Sequence, residues 1–101
     1  MQNDKFLKML GLATRAGAVR FGGGAVADGI RAGKVFLVIL SEDASENTKK
    51  RFHNSCSFYE VDCAEACDRY SLGKACGRDV AVIMSVTNEE FAKKLQEILQ
   101  N

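Results

Sequence analysis

The sequence predicts an α/β fold, a three-layer α/β/α sandwich around a small mixed four-stranded sheet, and three observations predict it. Apolar residues recur at helical spacing in several segments, those segments alternate with short apolar runs of strand character, and no proline interrupts them anywhere. At 101 residues and 11.0 kDa the chain is expected to form a single domain spanning 1–101, with one core and no room for separate cofactor and substrate domains.

Each element has a local reason. Between Asp4 and Ala16, Phe6, Leu7, Leu10 and Ala13 follow helical spacing, and Gly17 is placed to end the helix as a left-handed cap. Ala18 to Phe21 reads as a short strand running into the turn Gly22-Gly23-Gly24. A second helix follows, with Val26 and Ile30 on one face and Gly33 at its close. Val35 to Leu40 is continuously apolar and partly β-branched, as a strand buried on both faces would be. After Ser41-Glu42-Asp43-Ala44, a third helix begins near Ser45 and turns Thr48, Phe52 and Cys56 inward. Phe58 to Val61 is expected to be the next strand, Ala64 to Tyr70 a helical stretch, Ser71 to Asp79 a connection, and Val80 to Val86 the last strand. Thr87-x-x-Glu90 reads as a capping box for a final helix bearing Phe91, Leu95, Ile98 and Leu99.

Composition excludes several classes. With 47% hydrophobic and 27% charged residues the balance is that of a soluble globular protein, and the longest apolar run, Val35 to Leu40, is far short of a membrane span. Asp4, Lys5 and Lys8 break up the first apolar stretch, so no signal pattern is expected and the cytoplasm is the expected compartment. Net charge is only +1, but it is unevenly placed. Lys5 to Lys34 holds six basic residues and one acidic residue, whereas Glu60 to Asp68 holds four acidic residues and no basic one, a pattern suited to one basic face that meets a polyanion.

Catalytic and metal chemistry find little support. Cys56, Cys63, Cys67 and Cys76 lack paired C-x2-C knuckles, and His53 has no close partner in a metal pattern, so free thiols and no metal are expected. No histidine has a clear claim to activate a cysteine, and the Glu42-Asp43 pair reads as helix capping. The glycine turn is the segment most like a site. Three glycines free the backbone and remove every Cβ that would hold a ligand away from the N–H groups of the following helix, which favour phosphates. One reading of it is a nucleotide-binding module, since Gly22-x-Gly24-x-x-Ala27 matches the loose dinucleotide fingerprint and Glu42 lies 20 residues beyond Gly22. A protein-interaction module is a further alternative.

The order of motifs carries a resemblance that covers about Lys5 to Leu99. Leu10-Gly11-Leu12-Ala13-Thr14-Arg15-Ala16-Gly17, the glycine turn, Ile30-Arg31-Ala32-Gly33-Lys34, the run from Ser41 to Lys50 and Leu72-Gly73-Lys74-Ala75-Cys76-Gly77-Arg78 together resemble the YlxQ-type bacterial members of the kink-turn RNA-binding large-subunit ribosomal protein family. The resemblance implies a non-catalytic ribonucleoprotein component without cofactor, whose partners are structured RNA, ribosomal or otherwise kink-turn-like, with ribosomal proteins as further candidate partners. It implies one RNA surface at Gly22, Gly23, Gly24, Ala25 and Asp28, which in the family meets tandem sheared G·A pairs. A second surface falls at Arg78, Asp79 and Val80, with Arg20, Arg31 and Lys34 neutralising backbone charge. Family members usually carry Asn-Glu and a lysine where this chain has Gly24-Ala25 and Asp28. Glycine and alanine offer no side-chain group to a base edge, so altered or weakened kink-turn specificity is expected.

Overall fold

The computed structural model describes residues 2–100, whose elements run α1 (Gln2–Arg15), β1 (Val19–Phe21), α2 (Gly23–Arg31), β2 (Leu37–Leu40), α3 (Glu46–Tyr59), β3 (Asp62–Glu65), α4 (Arg69–Ala75), β4 (Ile83–Val86) and α5 (Glu89–Gln100). The sheet order is β1-β4-β2-β3. β4 runs antiparallel to both β1 and β2, while β2 and β3 are parallel. The expected α/β sandwich with a mixed four-stranded sheet is therefore the observed fold.

Alternation along the central strands divides the core in two. Leu37, Ile39, Met84 and Val86 face α1, α4 and α5, where Phe6, Leu10, Leu72 and Leu95 are fully buried. Val38, Leu40 and Ile83 face the other way, onto Val26 and Ile30 of α2 and Phe52 and Cys56 of α3. Gly17 takes the left-handed φ of 74° after α1, and the Ala18 N–H reaches back to the Ala13 carbonyl at 2.9 Å, so α1 ends where the glycine predicts. Gly33, at φ 72°, closes α2 in the same way.

The chain between Phe58 and Val80 departs from the sequence reading. Phe58 and Tyr59 are not a strand but the last turn of α3, and Phe58 is 80% exposed. Glu60 adopts a left-handed φ of 59° and the Val61 N–H donates to the Cys56 carbonyl at 2.8 Å, a helix-ending bond that overrides the strand preference of the aromatic pair. Ala64 and Glu65 belong to β3, and the helix expected there lies later, at Arg69–Ala75. It starts because the Asp68 carboxylate accepts from the N–H groups of Tyr70 and Ser71 at 2.9 and 2.8 Å. β4 begins at Ile83, not Val80, since the Ala81 N–H is bonded to the Arg69 carbonyl at 3.0 Å. Asn88, not Thr87, caps α5 by accepting from the Phe91 N–H at 3.0 Å, and the Thr87 hydroxyl donates to the Ala18 carbonyl instead.

Candidate functional site

β1, β2 and β3 all point the same way, so their C-terminal ends lie on one rim of the sheet together with the start of β4. The register fixes this: Phe21 pairs with Met84, and Leu40 pairs with both Ile83 and Glu65. Loops beyond the carboxyl ends of parallel strands are where α/β folds gather ligands. The glycine turn and the segment Arg78–Val80, separate in sequence, meet on this rim. Gly22 donates its N–H to the Ile83 carbonyl at 3.2 Å, and the two segments border a shallow cavity of about 220 Å³ with Phe21 on its wall.

The turn presents backbone. Gly22 holds φ 94° and ψ 150°, a region open essentially to glycine, and α2 starts after it with no side chain capping its N-terminus. A Cβ at Gly24 would meet nothing within 4 Å, and Ala25 is exposed beside it, so the first turn opens to solvent where an anion could approach. The facing loop presents side chains. The Arg78 guanidinium stacks 4.1 Å from the centre of the Phe21 ring, and Val80 is 46% exposed. That loop is held from below by Gly73: the Arg78 N–H donates to the Gly73 carbonyl at 2.8 Å, and a Cβ at Gly73 would lie 2.7 Å from the Val80 Cα.

The remaining basic residues read from the sequence are not on this rim. Asp28 and Arg31 form an exposed ion pair with each other, which offsets the negative charge of Asp28 locally. Arg20 turns its guanidinium toward the start of its own strand, donating from Nη1 to the carbonyls of Gly17 and Val19 at 2.8 and 3.1 Å. Lys34 follows the far end of α2. At a rise of about 1.5 Å per residue, the nine-residue helix separates Gly23 from Arg31 by roughly 12 Å.

Sequence reasoning missed a second polar cluster on the rim. The Arg69 guanidinium donates to the Asp43 carbonyl at 2.7 Å and approaches its carboxylate at 3.4 Å, while the Arg69 N–H also donates to that carboxylate at 3.2 Å. The Ser41 side chain first, and the Arg69 N–H and charge after an opposing effect of burial, hold the Asp43 carboxyl below its ordinary range. Asp43 thus supports α4, not the helix that follows it. Only the parallel pairing of β2 and β3 brings these residues together, and no local spacing signals it.

The four cysteines are free thiols. Cys63 packs on the cluster that holds Cys56, and the interaction of the two thiols lowers the first and raises the second, with burial adding to the rise at Cys63. Among the described residues no group of three or more His, Cys, Asp or Glu side chains is placed to hold a metal ion, and no helix is long and apolar enough to cross a membrane. The dinucleotide fingerprint lacks its structural context: β1 and β2, the strands flanking α2, are not neighbours, because antiparallel β4 lies between them.

The fold is a small α/β sandwich that brings the bare start of α2 and the exposed Val80 together on one rim. The chain belongs to the ribosomal protein L7Ae/L30e/S12e/Gadd45 family, whose model matches residues 4–96. It is 37% identical over 99 residues to the RNA-binding protein YlxQ of Bacillus subtilis, covering 98% of this chain and 99% of that one. It is 36% identical over 97 residues to the RNA-binding protein YlxQ of Enterococcus faecium, covering 96% and 93%. A solved structure of a protein of unknown function from Bacillus halodurans superposes with a TM-score of 0.94 at 35% identity, over 96% of this chain and 98% of that one. The Giardia lamblia 15.5 kD RNA-binding protein shares the fold, with a TM-score of 0.79 at 19% identity over 98% and 85% of the two chains. The YlxQ-type resemblance read from the motifs is thus the family found, and it is a family of non-catalytic proteins.

Proposed function

We propose that this chain is a non-catalytic, cytoplasmic RNA-binding protein, acting as one domain, that recognises structured RNA of the kink-turn class with weakened specificity for the kink. The observation that carries the reading is the rim on which the bare start of α2 at Gly22–Ala25 faces Arg78 and Val80 across a shallow cavity. Backbone N–H groups at a helix start suit phosphate oxygens, and an exposed valine beside a stacked arginine suits unstacked bases. The names of the YlxQ relatives support RNA as the ligand. Gly24 and Ala25 supply no hydrogen-bonding side chain to purine edges, so shape and backbone contacts carry more of the recognition here than direct base reading.

The test is a salt titration of binding to a standard kink-turn RNA, with the same RNA carrying disrupted G·A pairs as control. The expected result is tighter binding to the intact kink at every salt concentration, by a factor of about ten, carried by the shape of the kinked backbone. Equal affinity for both RNAs would remove the kink from the reading, and absence of binding to either would remove RNA.

A further inference from the structure

Ser85 sits in β4 opposite Arg20, on the face of the sheet that looks toward α2, and is 1% exposed. Its hydroxyl has no hydrogen-bond partner among the described residues. Leaving a buried hydroxyl without a partner is costly, so each one in a folded protein calls for an explanation. Ser85 does not abut sealed core. It forms the floor of a groove of about 590 Å³ that runs along the flank of α2, within the size range of small-molecule sites.

The walls of that groove suit a nucleotide. Ala25, Gly29 and Gly33 succeed one another at four-residue intervals and bring almost no side chain to its wall; a Cβ at Gly33 would meet nothing within 4 Å, whereas one at Gly29 would lie 2.8 Å from the Val35 Cγ2, so that glycine also admits Val35 against α2. Phe36 borders it and is 41% exposed, an unusual position for a phenylalanine beside a sheet and a flat surface on which a base can stack. Arg20 and Lys34 supply positive charge at the same groove, and neither faces a carboxylate at ion-pair distance among the described residues.

We propose that the groove between α2 and the β1–β4 edge is a nucleotide subsite, with the base on Phe36, its polar edge or ribose bonded to the Ser85 hydroxyl, and the phosphate on Lys34 and Arg20. It is distinct from the glycine-turn rim. Two sources offer this chemistry: a free mononucleotide, or one nucleotide of a longer RNA engaged at the rim. The first is independent of the RNA reading above, and the second rests on it.

The experiment follows backbone amide resonances of the labelled full chain during titration with uridine monophosphate, adenosine monophosphate, a single-stranded hexauridylate and a kink-turn RNA with a single-stranded tail. The expected result is saturable movement of the Arg20, Lys34, Phe36 and Ser85 amides. Phe36→Ala and Lys34→Ala weaken it about tenfold and Ser85→Ala about threefold, while Gly24→Val leaves the movement with the monophosphates at its parent concentration dependence. Ser85→Ala is the variant that separates binding from folding, because it deletes only the unpaired hydroxyl and its melting temperature should not fall. Movement with the monophosphates identifies the free nucleotide as ligand, and movement only with the hexauridylate or the tailed RNA identifies an RNA nucleotide. Still groove amides with all four probes, or movement unaffected by the three groove variants, overturns the subsite. Groove amides that move while those of Gly22–Ala25 stay still with kink-turn RNA would leave the subsite standing and remove the rim reading.

Discussion

Two glycine-dependent segments share the rim, and they use glycine in opposite ways. At Gly22 and Gly24 a Cβ would meet nothing within 4 Å, so the missing side chains leave space on the outside of the protein. At Gly73 a Cβ would lie 2.7, 2.8 and 2.9 Å from backbone atoms of Asp79 and Val80, so the missing side chain lets two pieces of chain touch on the inside. The first arrangement exposes helix N–H groups, and the second fixes the loop that carries Arg78 and Val80. Where the empty space faces solvent, substitution should alter binding; where it is filled by backbone, substitution should alter folding.

The sharpest way to break that contrast is Gly73→Ala. Backbone cannot move aside cheaply, so the overpacking should cost about 3 kcal/mol and lower the melting temperature by more than 10 °C at roughly 4–8 °C per kcal/mol. A melting temperature within two or so degrees of the parent would show that the α4–β4 loop is not clamped as described. Gly22→Ala comes next. Its φ of 94° with ψ 150° strains any side-chain-bearing residue by about 1–3 kcal/mol, despite the open space around it, and scanning calorimetry should report a loss near the middle of that range.

A smaller effect on folding, with a larger one on binding, is expected from the triple change Gly24→Asn, Ala25→Glu and Asp28→Lys. All three positions are exposed, and the Asp28–Arg31 pair it breaks is a surface pair of small worth, so stability should change by less than about 1 kcal/mol. Affinity for intact kink-turn RNA should rise about tenfold over the G·A-disrupted control, the gain of one good base contact. No gain in an anisotropy titration would place the recognition elsewhere on the rim.

The smallest effect is on pH dependence. Asp68, held low mainly by the Ser71 N–H and hydroxyl, and Asp43, held low mainly by the Ser41 side chain, both have folded-state values below their unfolded ones. Their stabilisation is complete above the unfolded aspartate range near pH 4 and is lost as pH falls through the lower folded values. Melts between pH 5 and about pH 2.5 should therefore fall less steeply in Asp68→Asn than in the parent, and parallel curves would show that the α4 cap contributes nothing.

The parts of this fold legible in the sequence are those whose signals are local. Gly17 and Gly33 end helices because their own φ values require it, Ser45 caps α3 through its own side chain, and Val38 to Leu40 is apolar enough to be central on its own evidence. The Phe58–Val80 stretch differs from the sequence reading because its decisive interactions are not in the apolar pattern: a left-handed Glu60 outweighs two aromatics, and the Asp68 cap starts α4 only near the end of the stretch that reads as helical and carries it into the segment that reads as a connection. In the candidate site, the glycine turn and Val80 are visible as residue types, and the Asp28–Arg31 pair could have been found from its three-residue spacing. The contact between Gly73 and Val80, the placement of Arg69 on Asp43 and the pairing of Ser85 with Arg20 depend on strand order and register, which no window of sequence contains.

The position of β4 has a consequence for how the protein comes into being during synthesis. Because the fourth strand in sequence is threaded between the first and second, β1 has no strand partner and β2 lacks one of its two until residue 86 has left the ribosome. The hydrogen bond from Gly22 to Ile83 and the stacking of Arg78 on Phe21 join early chain to late chain in the same way. Pairings between such distant residues close large loops and form late, so the rim is among the last features to be assembled. A nascent chain halted before β4 carries the glycine turn but not the rim proposed to meet RNA, which exists only once the sheet closes.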